Sequence, residues 1–131
     1  MIRTKKDLAF YLKEDRARND LTSYWDYIIR LLAQCENACV YRYLRCLRKG
    51  EYHLNNNNRL WHRLLYYYYK VKLNKMGRRY CLNIPMNTCG FGLRIMHLSG
   101  GGGVLLNIKK AGNYCGFNSG VLLGNVDAPD N

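Results

Sequence analysis

Acidic residues are scarce in this chain of 131 residues, which has nine Asp and Glu against 21 Lys and Arg. The formal net charge of +12 predicts a field that attracts anions, whether nucleic acid, anionic lipid or a phosphorylated cofactor. Long apolar runs are also lacking, since no segment approaches the roughly 20 apolar residues that span a bilayer. The N-terminus is charged from Arg3 onward and lacks the apolar segment of a signal peptide. We therefore expect a cytoplasmic protein that makes no use of a membrane.

The short motifs of several common sites are missing as well. The six cysteines form no C-x-x-C pair and the histidines no H-x-x-x-H, which disfavours a zinc site from Cys35, Cys39 and His53. We expect no metal and interpret the cysteines as reduced, small apolar side chains. The Gly100–Gly103 run is not followed by Gly-Lys-Ser/Thr, so it is not a P-loop. No helix-turn-helix, RNA-recognition or zinc-finger signature accompanies the charge, so nucleic acid is not the expected partner.

Residues 1–79 predict a helical N-terminal domain of about four helices. Thr4 with Asp7, and Ser23 with Asp26, form the start signals of the first two helices. The polar segment 15–20 is expected to end the first helix, and glycines at 50 and 77 to end the third and fourth. Asn58 is expected to cap the fourth helix. Apolar residues at helical spacing predict the four helices: Leu8, Tyr11 and Leu12; Trp25, Ile28, Ile29 and Leu32; Val40, Tyr43, Leu44 and Leu47; and Leu60, Leu64, Leu65, Tyr68 and Val71. The last of these sets is expected to face inward.

The third helix also carries a row of cations, Arg42, Arg45, Arg48 and Lys49. Such a row is typical of a solvated helix face. The alternative is a surface that attracts anions. The sequence leaves both interpretations open.

From residue 80 the composition changes, because charge falls while Gly and Asn become frequent. Small or apolar residues recur at every sixth position, at Cys89 and Ile95 and then, after a break, at Leu105, Ala111, Phe117 and Leu123. Neither a helix nor a simple strand has a period of six, whereas a hexapeptide repeat does. This period predicts short strands joined by tight turns, stacked so that the repeated residue is buried.

Residues 81–125 resemble the serine acetyltransferase family, most closely the variants of bacterial capsule and polysaccharide gene clusters. The resemblance rests on the runs Ile84–Thr88, Gly92–His97, Val104–Asn107, Asn113–Cys115 and Gly120–Gly124. It implies an α+β fold, in which an N-terminal helical domain (1–79) precedes the start of a left-handed parallel β-helix (80–131). It also implies a homotrimer that transfers an acetyl group from acetyl-CoA to a hydroxyl.

The resemblance assigns roles to four residues. His97 matches the family histidine that acts as general base, a task for which an imidazole is suited near neutral pH. Asn83 stands where the family has an acceptor-binding aspartate. Gly124 and Asn125 match the point at which the coil begins to contact coenzyme A; for Asn83, Gly124 and Asn125 an ordinary turn is the alternative.

Departures from the family pattern keep several functions open. Met96 replaces the aspartate before the histidine, and Asn83 cannot supply negative charge to an ammonium group. The acceptor is therefore either serine, as in cysteine biosynthesis, or a sugar hydroxyl of a polysaccharide precursor. Later coils that complete the family site have no counterpart here, so we expect a C-terminally truncated enzyme or an inactive scaffold.

Overall fold

The computed structural model describes residues 1–124, which form an α+β fold of four α-helices followed by short parallel strands. The predicted number of helices is confirmed. The helices are α1 (Lys5–Arg18), α2 (Tyr24–Leu32), α3 (Glu36–Leu54) and α4 (Leu60–Tyr80). Within the described part of the chain, no helix combines the length and apolar character needed to cross a bilayer.

The first two helices begin where the sequence predicts. The Thr4 side chain accepts a hydrogen bond from the Asp7 amide, and the Asp7 carboxylate accepts one from the Thr4 amide, which completes a capping box. Ser23 caps α2 in the same way by accepting from the Asp26 amide. α4 differs from the prediction, because its N-cap is Arg59 rather than Asn58 and makes no side-chain capping bond.

α1 ends at Arg18, inside the polar segment 15–20, as the sequence predicts, although Asp15 itself faces inward and is paired with a buried arginine. Two other predicted helix ends are wrong. α3 continues through Gly50, where a Cβ would come within 2.5 Å of the Met86 side chain. α4 continues through Gly77, where a Cβ would collide with the carbonyl oxygen of Leu82. These glycines allow the following chain to pack closely against the helices rather than ending them.

The inward face predicted for α4 is wrong, and α2 likewise exposes most of the apolar residues that predicted it. Trp25 is 73% exposed and Leu60 is 72% exposed, and their neighbours at helical spacing share this exposure: Ile29, Leu32, Leu64, Tyr68 and Val71. α4 instead buries His62, Leu73 and Met76 against α3 and the strands. Because both sides of these helices carry large apolar side chains, spacing alone did not identify the side that packs.

Five short strands follow α4 in the described part of the chain, and every pairing between them is parallel. They are β1 (Leu82–Asn83), β2 (Arg94–Met96), β3 (Val104–Leu106), β4 (Gly116–Asn118) and β5 (Val121–Leu123). β1, β3 and β5 form one ladder, and β2 and β4 form a second. The third is an isolated parallel bridge from Cys89, which lies between β1 and β2 in sequence, to Ala111, which lies between β3 and β4. The chain therefore visits three parallel ladders in the same order on successive passes.

The six-residue register holds for part of this region. Cys89 is paired with Ala111 and Ile95 with Phe117, as the repeat predicts. The prediction of burial is wrong for Leu105, which is 43% exposed and flanked by the buried Val104 and Leu106, and for Leu123, which is 38% exposed. The register shifts by one residue after the glycine run, so that Leu105 faces outward.

The helices and strands share one apolar core. It joins Val40, Leu44 and Leu47 of α3 to Leu73 of α4 and to strand-region residues, among them Leu82, Ile95, Val104 and Leu106. The division at residues 79 and 80 stays a prediction about domains. What the packing shows is that neither part buries its apolar surface alone.

A fully buried arginine joins α1, α3 and the strand region. Arg48 Nε donates to Asp15 Oδ2 (2.7 Å), and Arg48 Nη1 donates to Glu51 Oε2 (3.0 Å). The same guanidinium donates to the carbonyl oxygens of Cys89 (2.9 Å) and Gly90 (2.6 Å). The solvated interpretation of Arg48 is therefore wrong, because all its donors point into the junction.

Candidate functional site

His97 lies immediately after β2, with its side chain exposed. Its backbone is left-handed (φ 56°, ψ 48°), and its carbonyl oxygen accepts a bond from the Gly100 amide at 2.9 Å. This bond closes a short 3₁₀ turn, Leu98–Gly100. His is one of the few residue types other than Gly that is enriched at positive φ. The backbone thus turns away from the core two residues after the buried Ile95.

The glycine run follows His97 and packs closely against the next pass of the chain. Gly102 lies so close to Gly120 on the next pass that a Cβ would collide with the Gly120 backbone, and its amide donates to Ser119 Oγ at 3.0 Å. Gly103 has φ +66° and packs against the Cys81 carbonyl. The Ser99 hydroxyl, before the run, donates to Glu36 at the start of α3 (3.1 Å). The run therefore forms a turn in which Gly102 and Gly103 pack closely against neighbouring backbone, whereas Gly101 has open space beside it.

The surroundings of His97 are sparsely polar. Within residues 1–124, no side chain is hydrogen-bonded to its imidazole ring, and the preceding Met96 is half-buried. Met96 cannot orient the ring or hold charge beside it. The ring is exposed, and neither of its nitrogens has a hydrogen-bond partner among the described side chains.

Asn83 lies on a different ladder, at the end of β1, and lines a cavity of about 760 Å³ between α4 and the first ladder. The cavity is otherwise lined mainly by apolar residues, and its polar lining side chains include Tyr66, Lys70, Asn74 and Arg78. No carboxylate lines it among the described residues. The arrangement can hold a molecule that carries an anionic group and accepts amide hydrogen bonds.

The predicted site residues are not all brought together in one copy of the chain. Asn83 and Gly124 belong to the ladder of β1, β3 and β5, whereas His97 follows the ladder of β2 and β4. Gly124 directly follows β5 and is exposed, with open space where a Cβ would stand. Asn125 lies outside the described residues, so its predicted role stays a prediction.

Two polar clusters were missed by sequence reasoning. One is the Arg48 junction, which the helical spacing of Arg48 with Leu44 and Glu51 could have indicated. The other is a buried pair, in which the Nδ1 atoms of His53 and His62 lie 2.8 Å apart and share a hydrogen bond. Its only signal in the sequence was a histidine near the end of α3 and another near the start of α4.

Cysteine chemistry is limited by burial. The described residues contain no group of three or more His, Cys, Asp or Glu side chains able to hold a metal ion. All six cysteines are free thiols. Burial raises the pKa of both the Cys46 and Cys89 thiols to about 11, which keeps them protonated near neutral pH.

Comparisons with known proteins identify no relative. No family model, no curated protein and no solved structure matches this chain.

Proposed function

We propose that this chain is part of an acetyl-CoA-dependent O-acetyltransferase that resembles serine acetyltransferases, with His97 as the general base. The observation that carries the proposal is the exposed imidazole held by a closed backbone turn at the end of β2. His97 directly follows β2, and the central residue of that strand, Ile95, is buried. A base on such a rigid support can meet a substrate in a fixed geometry.

We further propose that the strand region is the beginning of a left-handed parallel β-helix. Three parallel ladders visited in the same order on successive passes support this interpretation. So does the stacking of Ile95 on Phe117 and of Cys89 on Ala111. In such a coil the apolar residues form columns and the turns project outward, as the His97 turn does.

In the proposed reaction, His97 moves a proton while an acetyl group passes from acetyl-CoA to the acceptor hydroxyl. An unprotonated His97 nitrogen takes the proton of an acceptor hydroxyl while the oxygen attacks the thioester carbonyl carbon of acetyl-CoA. The tetrahedral intermediate then releases coenzyme A by cleavage of the carbon–sulfur bond. The imidazolium returns its proton to the departing thiolate, so that His97 ends the cycle neutral.

The assembly proposed is a homotrimer with sites between copies. His97 and Asn83 lie on different ladders, and neighbouring copies in a ring would bring one ladder of each against another of the next. Acetyl-CoA would then contact Gly124 and Asn125. Sedimentation analysis of the chain checks the trimer independently of catalysis.

Serine is the acceptor that the resemblance favours, and a sugar hydroxyl is the second candidate. The Asn83 cavity has Lys70 and Arg78 in its lining and, among the described residues, no carboxylate to bind an ammonium group. This charge pattern suits an acceptor that carries phosphate, such as a nucleotide sugar. For the amino group of serine it offers neutral acceptors, such as the amide oxygens of Asn74 and Asn83, but no opposite charge among the described residues.

The test measures acetylated product by mass spectrometry after incubation with acetyl-CoA and either serine or a nucleotide sugar. We expect His97→Asn to lower turnover by about 10²–10⁴, because Asn tolerates the left-handed backbone but cannot act as a base. Lys109→Gln, a change at an exposed position, should leave turnover unchanged. Equal turnover in His97→Asn and wild type would remove His97 from the mechanism. The absence of both product and acetyl-CoA binding heat would instead favour the inactive scaffold.

A further inference from the structure

A small cavity between α2, α3 and α4 concentrates positive charge. Arg42, Arg45 and Lys49 project into it from successive turns of α3, and Lys72 reaches it from α4. The cavity measures about 150 Å³, and its remaining lining residues are Tyr27, Cys46 and Tyr69. None of these residues comes from the strand region, so the cavity is separate from the proposed acetyl-transfer site.

Nothing acidic within residues 1–124 neutralises these four cations. None of them takes part in an ion pair there. Each of the seven described carboxylates is engaged elsewhere: Asp7 with Thr4, Glu14 with Tyr114, Asp15 and Glu51 with Arg48, Asp20 with Arg94, Asp26 with Arg30, and Glu36 with Ser99. Four like charges around one small space are therefore left to repel one another.

Tyrosine rings lie beside two of these cations, Arg45 and Lys49. The Arg45 guanidinium carbon lies 5.3 Å from the ring centroids of both Tyr24 and Tyr27. Lys49 Nζ lies 6.0 Å from the Tyr69 ring centroid. Burial and the nearby charges of Arg45 and Lys72 lower the pKa of Lys49, as crowding of like charges should. An anion between these side chains would relieve that repulsion.

We propose that this cavity binds a phosphate group of a small phosphorylated molecule. The arginine guanidinium groups can donate two parallel hydrogen bonds to phosphate oxygens, and the lysines add point charges. The tyrosine hydroxyls can donate further bonds. The volume suits one or two phosphate groups. It is below the size range of ordinary ligand pockets, so the cavity is too small to enclose a whole nucleotide.

The experiment titrates the full chain with inorganic pyrophosphate, by calorimetry and by phosphorus NMR line broadening. The test variant carries Arg42→Gln, Lys49→Gln and Lys72→Gln and leaves Arg45, which packs on two tyrosines, in place. The control variant removes three charges from exposed positions of α1, with Lys5→Gln, Lys6→Gln and Lys13→Gln. Both variants have the same net charge, so a general attraction of anions affects them equally.

We expect pyrophosphate to bind the wild type and the control with similar affinity, and the test variant at least about tenfold more weakly. Coenzyme A and a single-stranded RNA of ten nucleotides serve as further probes. Absence of pyrophosphate binding, or equal weakening in both variants, would overturn the proposal. Binding of the RNA alone would also overturn it, in favour of a nucleic-acid surface. Because the assay involves no acetyl transfer, its outcome is independent of His97.

Discussion

Replacing Arg48 with methionine should destabilise this protein more than any other change of a single charged residue in α3. Methionine has a similar length and no charge, so it fills the space without restoring the contacts. The substitution leaves the Asp15 and Glu51 carboxylates, both buried, with no cation. It also leaves the Cys89 and Gly90 carbonyls without the guanidinium donor that now binds them.

The magnitude follows from those losses. Removing one partner of a buried ion pair costs about 3–5 kcal/mol, because the remaining charge is left uncompensated. Each unsatisfied polar group adds up to about 1–3 kcal/mol, less where a carbonyl finds another partner. Asp15 Oδ1 also accepts the Leu93 amide (2.9 Å) and Glu51 Oε1 the Asn87 amide (2.9 Å), and these bonds offset part of the loss. We expect a net loss of about 5 kcal/mol, a large share of the about 5–15 kcal/mol typical of a domain.

Urea unfolding followed by circular dichroism measures this change in the free energy of unfolding. Arg42→Met is the matched control, since Arg42 is exposed on the same helix, and it should change stability by about 0.5 kcal/mol or less. The triple variant Asp15→Asn, Arg48→Met and Glu51→Gln removes the stranded charges and should be more stable than Arg48→Met alone. If Arg48→Met falls within about 1 kcal/mol of Arg42→Met, or if the triple variant is the less stable one, the charge argument is wrong.

Three further predictions concern stability and reactivity. Burial, followed by His62 and Lys49, lowers the pKa of His53 in the folded state, so thermal stability should fall as pH drops below about 6.5, and less so in His53→Gln. A melting temperature independent of pH between about 7.5 and 5.5 would contradict this. Gly77→Ala should cost about 1–3 kcal/mol in urea unfolding because its Cβ meets the Leu82 carbonyl, whereas Gly112→Ala, with open space, should be nearly neutral. Iodoacetamide at about pH 8 should label the exposed Cys81 before Cys46, as peptide mass spectrometry can establish.

The candidate site was predictable only where a short pattern carried the information. His97 stands out because it follows an apolar repeat position and precedes glycines, and its exposure after β2 agrees with that pattern. The sequence showed the row of cations on α3, but it did not show which of them are buried in ion pairs and which line a cavity. Arg48 turned inward to two carboxylates, while Arg42, Arg45 and Lys49 joined Lys72 around a cavity. Lys72 lies far along the chain, so its part in the cluster had no local signal.

Local chemistry in the sequence determined where the first two helices begin and where the repeat region starts. The helix starts depend on contacts between residues three positions apart, such as Thr4 with Asp7, which the chain order itself brings together. The repeat region is marked by its composition and by the six-residue spacing of its small and apolar residues. The tertiary structure alone decided which helix faces are buried, why glycines 50 and 77 lie inside helices, and which ladder presents each candidate residue. These outcomes depend on partners distant in sequence, and α2 and α4 are apolar on more than one side. For such helices, burial is settled by whichever neighbours pack against them, because the hydrophobic effect rewards buried area and has no preferred direction.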